Sequence, residues 1–224
     1  MVLCDLPYGQ TSRNKWDVVI PFDKLWNAYE RIVKPNGAIV LFANGLFTAD
    51  LMSSNRRLWK YNLVWNKVLS SGFLNANRMP MRSHEDICVF YKRQPVYNPQ
   101  KTIGESKNHS KGKMLPVDDA GSNYGYAQRA DNAETLGNLK NPTSILTFSK
   151  THPSKSLHPT EKPASLGETL IKTYTNEGDV VLDNCAGSGS FLVAAVNTKR
   201  NFIGFELDPE YYAIAVNRVK AVIA

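Results

Sequence analysis

The residues best suited to binding a nucleotide lie in the last fifth of the sequence. Gly187 and Gly189 stand between an apolar run, Val180–Asp183, and a helical pattern that starts near Ser190. Glycines at such a turn let the backbone approach a ligand closely, and the first turn of the helix offers free N–H groups. Glu206 ends the next predicted strand, where a carboxylate typically accepts hydrogen bonds from the hydroxyl groups of a ribose. The pattern is moderately specific for a cofactor that contains adenosine.

A second stretch, C-D-L-P-Y-G at residues 4–9, combines a carboxylate with an aromatic ring. Asp5 and Tyr8 follow the first apolar run of the chain. Taken alone, these residues describe a strand that ends in a turn, because aspartate, proline and glycine all favour turns. In open α/β sheets, however, ligands gather at the carboxyl ends of the strands. Both stretches can therefore open onto one cleft, which favours a functional role for Asp5 and Tyr8.

The elements that position these residues alternate between strands and helices. Apolar runs predict strands at 2–6, 38–42, 61–65, 86–91, 144–148 and 180–183, with one more ending at Glu206. Helical spacing predicts helices at 22–33, 48–56, 163–174 and 209–222, besides the one from Ser190. A long loop is expected between residues 70 and 82. This alternation predicts an α/β three-layer sandwich with a mainly parallel sheet.

Positive charge is concentrated in one segment of the 224-residue chain, which has a net charge of +7. Residues 92–162 contain eleven Lys or Arg and six Asp or Glu. Periodicity is lost from Gln94 to Leu157, and only 144–148 there resembles a strand. One interpretation is a disordered linker. The aromatic residues in the segment favour the other, a basic insertion that orders on a phosphate backbone. The domain prediction is therefore an insertion at 94–157 between two halves of one domain, 1–93 and 158–224.

The cysteines and histidines predict neither disulfides nor metal sites. Cys4, Cys88 and Cys185 are odd in number and far apart, which favours a reducing, cytoplasmic setting. The four histidines lack the spacing of a structural zinc site. No apolar stretch approaches the roughly 20 residues of a membrane span, so no membrane partner is expected.

The motifs, in this order, resemble the beta-class amino-DNA methyltransferases, which use S-adenosylmethionine. D-L-P-Y at 5–8 resembles the family's D-P-P-Y catalytic loop, and D-N-C-A-G-S-G-S at 183–190 resembles its cofactor loop. H-P-T-E-K-P at 158–163 resembles the H-P-T-x-K-P stretch before that loop. W-N-K at 65–67 and H-E at 84–85 are weaker matches. The resemblance implies a Rossmann-like methyltransferase fold with a circularly permuted motif order.

The resemblance also implies roles for individual residues. Asp5 and the carbonyl of Leu6 would accept hydrogen bonds from the exocyclic amine of a flipped base, Pro7 would hold the loop, and Tyr8 would stack on the base. An aromatic amine is a poor nucleophile, and two acceptors on its N–H groups return its lone pair for attack. The implied cofactor contacts are Cys4, His158, Thr160, Lys162, Pro163, Asp183, Asn184, Cys185, Ala186, Gly187, Ser188, Gly189, Ser190, Glu206 and Leu207.

The implied macromolecular partner is double-stranded DNA, with 94–157 at the position of the family's target-recognition region. The basic residues predicted to contact DNA are Lys92, Arg93, Lys101, Lys107, Lys111, Lys113, Arg129 and Lys140. Asp5 at the first loop position is typical of N6-adenine members, whereas serine there is more typical of N4-cytosine members, so adenine is favoured. The resemblance leaves open a homodimer and a cognate restriction enzyme.

The sequence departs from the family pattern at three places. Leu6 replaces the first proline of the loop, and Cys185 replaces an aromatic cofactor contact. Family members carry about one more strand and helix ahead of the catalytic-loop strand, so we expect weak binding of S-adenosylmethionine.

Two other functions stay open from the sequence. The first is a nucleotide-dependent oxidoreductase, which Leu192 opposes because it stands where a dinucleotide site has its third glycine. The second is a non-catalytic DNA-binding descendant of the methyltransferases, which the intact Asp5 and Tyr8 oppose.

Overall fold

The computed structural model describes residues 1–11, 17–106, 114–116, 126–128, 137–150, 157–158 and 160–223. The chain divides into two compact units, one formed by Met1–Asn98 with Thr143–Ala224 and the other by Pro99–Pro142. The smaller unit falls inside the predicted insertion at 94–157. The role of that segment in recognising DNA stays a prediction.

The larger unit is built on one seven-stranded sheet. The described strands of the whole chain are β1 (Val2–Asp5), β2 (Ile39–Ala43), β3 (Trp59–Ser71), β4 (Arg82–Phe90), β5 (Thr102–Ile103), β6 (Met114–Pro116), β7 (Tyr126–Gln128), β8 (Leu139–Lys140), β9 (Ile145–Thr147), β10 (Val180–Asp183) and β11 (Asn201–Gly204). The sheet order is β11-β10-β1-β2-β4-β3-β9. Strand β4 is antiparallel to both of its neighbours, and the other pairs are parallel. The predicted mainly parallel sheet is confirmed.

Helices cover both faces of this sheet. They are α1 (Phe22–Ile32), α2 (Leu46–Ser54), α3 (Ala164–Tyr174), α4 (Ser190–Asn197) and α5 (Pro209–Ile223). In β2, Phe42 packs into the core cluster of α3 and α4, while Leu41 packs into that of α1 and α2. Successive side chains of a strand point to opposite faces, so β2 is buried on both sides, as its unbroken apolar run predicts. No helix in the described part of the chain is long and apolar enough to cross a membrane.

The largest difference from the sequence prediction lies in the β3–β4 hairpin. β3 extends to Ser71, well beyond the predicted 61–65, and a short 3₁₀ helix, Phe73–Asn75, forms in the predicted loop. The pairing register shifts between Asn66 and Ser71, and Val68 has φ +63°, which is rare for a β-branched residue. The hairpin thus bends as it leaves the sheet. The part of β3 beyond Trp65 is irregular and lacks the alternation of apolar and polar residues by which a strand is predicted from sequence.

The smaller unit contains two short strand pairs that the sequence did not predict. β5 pairs with β8 and β6 pairs with β7, both antiparallel. Strands of two or three residues carry too little alternation to stand out from a polar segment.

Candidate active site

The two stretches predicted to carry out chemistry, one containing Asp5 and the other Gly187, meet at one edge of the sheet. β1 and β10 are parallel neighbours with Val2 opposite Leu182, so the loops that begin at Asp5 and at Asp183 leave the sheet on the same side. Glu161 and Lys162, from the third motif, join them, because Lys162 contacts Asp5 and Glu161 contacts Ser190. All three predicted motifs therefore form one site.

The carboxylate of Asp5 is held at both oxygens. Oδ1 accepts a hydrogen bond from the Tyr8 hydroxyl at 2.6 Å, and Oδ2 accepts one from Lys162 Nζ at 2.6 Å. Burial raises the pKa of Asp5, and the Lys162 ammonium offsets part of that rise. The Tyr8 ring lies 5.0 Å from that of Phe47, and Leu6 is buried. A carboxylate fixed in this way is a preorganised acceptor.

Asp17 fixes the backbone that follows Tyr8. Its Oδ1 accepts the Gly9 N–H at 2.8 Å, and its Oδ2 accepts the N–H groups of Gln10 and Thr11 at 2.9 and 2.7 Å. Burial acts to raise the pKa of Asp17, but these bonds and that from the Thr11 hydroxyl outweigh it, so the pKa is lowered. The loop keeps its shape through hydrogen bonds to one ionised side chain.

A buried ion cluster, made of Asp5, Lys67, Glu85 and Lys162, supports the loop. Lys162 Nζ lies 3.2 Å from Glu85 Oε2, an ion pair without hydrogen-bond geometry, and Lys67 Nζ lies 3.3 Å from Glu85 Oε1. Both lysines are buried. Two carboxylates and two ammonium groups balance in charge, which a buried cluster requires.

The pKa directions within the ion cluster follow from burial and from this pairing. Burial acts to lower the pKa of Lys162, but Asp5 and Glu85 outweigh it and raise the pKa. Burial acts to raise the pKa of Glu85, but Lys162 and Lys67 outweigh it and lower the pKa. Burial lowers the pKa of Lys67, and Glu85 offsets part of that change. Glu85 and Lys162 thus hold each other in their charged forms.

The sequence analysis assigned no role to Lys67 or Glu85, and it predicted a cofactor contact for Lys162. The structure places Lys162 Nζ with Asp5 and among the rings of Tyr8, Phe42 and Trp65, 5.3 to 5.9 Å away. Lys67 and Glu85 belong to the weak W-N-K and H-E matches, and their only further signal is that each adjoins an apolar strand. Charged residues usually lie at the surface, so a position next to an apolar strand does not predict that Lys67 and Glu85 form a buried pair.

The glycine turn between β10 and α4 is tightly packed. Gly187 and Gly189 have φ of +51° and +79°, and a Cβ at Gly189 would lie 2.9 Å from that of Ala215. Glu206 Oε2 accepts the Gly187 N–H at 2.7 Å, and Oε1 accepts the Asp208 N–H at 2.9 Å. The strand before Glu206 ends at Gly204, two residues earlier than predicted.

Arg218 and Glu161 hold this turn in place, and neither residue is predicted from the sequence to do so. Arg218, on α5, donates from Nη1 to the Ser188 carbonyl at 3.1 Å and to Ser190 Oγ at 3.2 Å. Its Nη2 lies 2.9 Å from Glu161 Oε1, while Glu161 Oε2 accepts the Leu157 N–H. Because the x of H-P-T-x-K-P is a variable position, Glu161 did not stand out.

The other predicted cofactor residues line the same edge. A Cβ at Gly187 would lie 3.4 Å from the His158 ring, and burial lowers the pKa of His158. Asn184 accepts a hydrogen bond from the Tyr29 hydroxyl at 2.6 Å. Cys4 is buried, Cys185 is partly exposed and both thiols are free. The remaining residues differ in exposure or position: Thr160 is half-buried, Pro163 precedes α3, Ala186 and Ser188 are buried, and Leu207 is exposed.

Asp183 should make the stability of the protein depend on pH. Burial raises its pKa to about 7, whereas an unfolded aspartate has a pKa of about 3.9. Because the folded state keeps the proton to higher pH, this side chain contributes less stability as the pH rises from 4 to 7. We expect the free energy of unfolding of the wild type, minus that of Asp183→Asn, to fall by up to about 4 kcal/mol over this range. Denaturant titrations at several pH values measure it, and a difference that rises or stays flat would contradict the assignment.

Only some of the predicted DNA contacts are described. Lys92 and Arg93 follow β4, which ends opposite Ile39, at the end of the sheet away from Asp5. A cavity of 310 Å³ at that end is lined in part by Lys92, and it too lies away from Asp5. Lys101 is exposed and Lys140 half-buried, both in the smaller unit. Lys107, Lys111, Lys113 and Arg129 lie outside the described residues.

Three or more His, Cys, Asp or Glu side chains that could hold a metal ion do not come together anywhere in the described residues.

A family model for DNA methylases of the N6/N4 type matches residues 1–217. The chain belongs to this DNA methylase family. The resemblance to amino-DNA methyltransferases is confirmed, and so is the α/β methyltransferase fold. The roles of the individual site residues stay predictions, as does weak binding of the cofactor.

The chain is similar to two curated relatives. It is 28% identical over 215 residues to Type II methyltransferase M.HindIII of Haemophilus influenzae, which covers 86% of this chain and 66% of the relative. It is 26% identical over 218 residues to Type II methyltransferase M.HpaI of Haemophilus parainfluenzae, covering 95% and 63%. The chain thus spans just under two thirds of the length of each relative.

Solved structures show the same fold. The M1.HpyAVI–SAM complex is 26% identical, with a TM-score of 0.61 over 97% of this chain and 87% of that one. PvuII DNA methyltransferase, described as cytosine-N4-specific, is 15% identical, with a TM-score of 0.64 over 99% and 82%. At 15% identity the likeness to PvuII concerns the fold alone.

Proposed function

We propose that the methylase transfers a methyl group from S-adenosylmethionine to the exocyclic amine of a base in double-stranded DNA, at N6 of adenine. The observation that carries this proposal is the Asp5 carboxylate, held by Tyr8 and Lys162 at the sheet edge where the glycine turn also lies. An acceptor for an amine and a turn suited to an adenosine cofactor thereby share one site. Membership of the family supports the reaction class.

The residues at the glycine turn fit S-adenosylmethionine. Gly187 and Gly189 keep the turn free of side chains, and the Glu206 carboxylate is anchored by two backbone N–H groups while it retains lone pairs for ribose hydroxyls. Phe205 and Leu207 are exposed apolar side chains beside Glu206, suited to covering an adenine ring. When bound, the cofactor supplies an electrophilic methyl group on a sulfonium.

The catalytic loop would prepare the amine. Asp5 and the Leu6 carbonyl accept its two N–H bonds, which localises the lone pair on nitrogen. Lys162 and Tyr8 hold the Asp5 carboxylate in place. The carboxylate therefore does not have to reorient when the amine reacts. The Tyr8 ring would stack on the flipped base, which offsets part of the unstacking cost of a few kcal/mol. The methylated amine then loses one proton, and the raised pKa of Asp5 suits this carboxylate to receive it.

N6 of adenine is the preferred acceptor because Asp5 occupies the first loop position. N4 of cytosine is the alternative base, and a non-catalytic DNA-binding protein is the alternative function. The closed hydrogen-bond network around Asp5 argues against loss of catalysis, because a decayed site has no need of a buried ion cluster. A homodimer and a cognate restriction enzyme are further proposals, to be tested by sedimentation and by nuclease assays on unmethylated DNA.

The proposal is tested by incubating the protein with S-adenosylmethionine and mixed genomic DNA, then analysing the nucleosides by mass spectrometry. N6-methyladenine is the expected product. N4-methylcytosine would overturn the choice of base, and unmodified DNA would overturn the enzyme assignment. Sequencing of the modified bases then defines the recognition sequence.

A further inference from the structure

The tip of the β3–β4 hairpin, residues 72–81, exposes a group of large apolar side chains. Phe73 is 78% exposed, Leu74 97% and Met79 58%. Clustered apolar exposure on a water-facing loop marks an interaction surface more often than chance. No element of the site described above uses these side chains.

The charge around the tip indicates a polyanionic partner. From Asn66 to His84 the sequence has Lys67, Arg78 and Arg82, and no Asp or Glu. Arg78 and Arg82 are exposed. Apolar side chains flanked by arginines match a duplex, which has phosphates outside and stacked bases inside.

The ion cluster ties the tip to the catalytic carboxylate. Ser71, the last residue before the tip, accepts from Lys67 Nζ at 3.3 Å and donates to the Arg82 carbonyl at 3.3 Å. Lys67 pairs with Glu85, Glu85 with Lys162, and Lys162 with Asp5. A series of polar contacts, exposed at Ser71 and Arg82 and more buried from Lys67 onward, thus runs from the base of the tip to Asp5. The position of one is fixed relative to the other.

The strained backbone at Val68 indicates that the direction of the hairpin tip matters for function. A β-branched residue at φ +63° costs on the order of 1–3 kcal/mol, and such strain persists where the surrounding structure enforces it. The Asn66 side chain stabilises the bend by accepting the Val68 N–H at 3.1 Å. The bend sets the direction in which the tip leaves the sheet.

We propose that the hairpin tip is a wedge that enters duplex DNA beside the target base, with Phe73 and Leu74 filling the gap that the flipped base leaves. This inference rests on the proposed function, because it needs a base that leaves the stack. Extrusion costs a few kcal/mol when the base is paired and less when it is already unpaired. A wedge therefore helps most on a fully paired site.

The test compares wild type with the double variant Phe73→Ala/Leu74→Ala on two short duplexes that carry the recognition sequence. In one duplex the target base is paired, and in the other it faces an abasic position. We expect the double variant to lose about tenfold or more in kcat/KM on the paired duplex, and less than about twofold on the abasic one. Equal losses on both, or none on either, would overturn the wedge.

Two further variants sharpen the comparison. Ile32→Ala, an exposed apolar residue at the end of α1, should change neither value. Arg78→Ala should lower kcat/KM equally on both duplexes, because a phosphate contact does not distinguish paired from unpaired bases. Thermal unfolding confirms that each variant is folded.

Binding measurements separate failure of the wedge from failure of the proposed function. If wild type transfers no methyl group, the proposed function fails. Binding is then measured on duplexes of mixed sequence, and the wedge requires that duplexes with abasic positions bind more tightly than fully paired ones, and that this difference depends on Phe73 and Leu74. Absence of that dependence overturns the wedge. Tip-dependent binding to phosphatidylglycerol vesicles, without any effect on duplex DNA, would assign the tip to a membrane surface instead.

Discussion

Asp5→Ala should lower the rate of methyl transfer by about a hundredfold to a thousandfold, while binding of the cofactor changes little. The rate falls because the amine loses one of its two acceptors, and removal of one preorganised hydrogen-bonding group at a reacting atom typically costs about 10² to 10³ in kcat. Cofactor binding persists because the glycine turn is held by Arg218 and Glu206, neither of which depends on Asp5. Single-turnover assays and calorimetry measure the two quantities.

The controls for Asp5→Ala address charge and folding. The substitution leaves the ion cluster with one excess positive charge, so some loss of stability is expected. Asp5→Asn keeps the shape of the side chain and should be as inactive, since it cannot serve as a charged acceptor. Asp23→Asn, at an exposed position on α1, should be fully active. Turnover within a few-fold of wild type in either Asp5 variant would remove Asp5 from the mechanism.

Lys162→Met should lower kcat/KM near neutral pH by about a hundredfold and shift the acid limb of the pH profile upward. Without the ammonium group, the buried carboxylates of Asp5 and Glu85 face each other, and a like charge raises the pKa of Asp5 further. A carboxyl group with a raised pKa ionises only at higher pH, so activity should recover as the pH rises. A merely structural lysine would lower activity equally at every pH.

Glu85→Gln should have the opposite effect on the profile. Lys162 would then pair with Asp5 alone, the pKa of Asp5 would fall, and the acid limb would move to lower pH. Lys199→Met, which breaks an exposed ion pair between Lys199 and Glu177, should leave the pH profile of kcat/KM unchanged. An acid limb that stays in place in both cluster variants would refute the role given to Lys162.

Most of the fold could be predicted because apolar residues recur at regular spacing in most of its helices and strands. Helix α1 and strand β2 lie almost where their apolar spacing placed them, since each buries a regular set of side chains. The direction of β4 could not be predicted from the sequence. It follows from the β3–β4 hairpin, whose polar extension has no hydrophobic pattern, so that the turn and the reversal of the chain stayed hidden.

The candidate site divides in a similar way. Asp5 and the glycine turn were found because motifs with a chemical rationale are local in sequence. Glu161 and Arg218 were missed because they are 57 positions apart and meet only through packing of α5 on the cofactor loop. Local patterns reveal the groups that touch ligands, whereas the groups that hold them depend on tertiary contacts.

The pairing of β1 with β10 has a consequence for how this chain is made. β1 lies inside the sheet, between β2 and a strand that begins at Val180. During translation, one edge of β1 must therefore wait until β10, which follows far along the chain, has left the ribosome. Contacts so distant in sequence slow folding and leave an unpaired edge exposed in the nascent chain. This motif order therefore predicts slower formation of the sheet than an order in which β1 and β10 are neighbours in sequence.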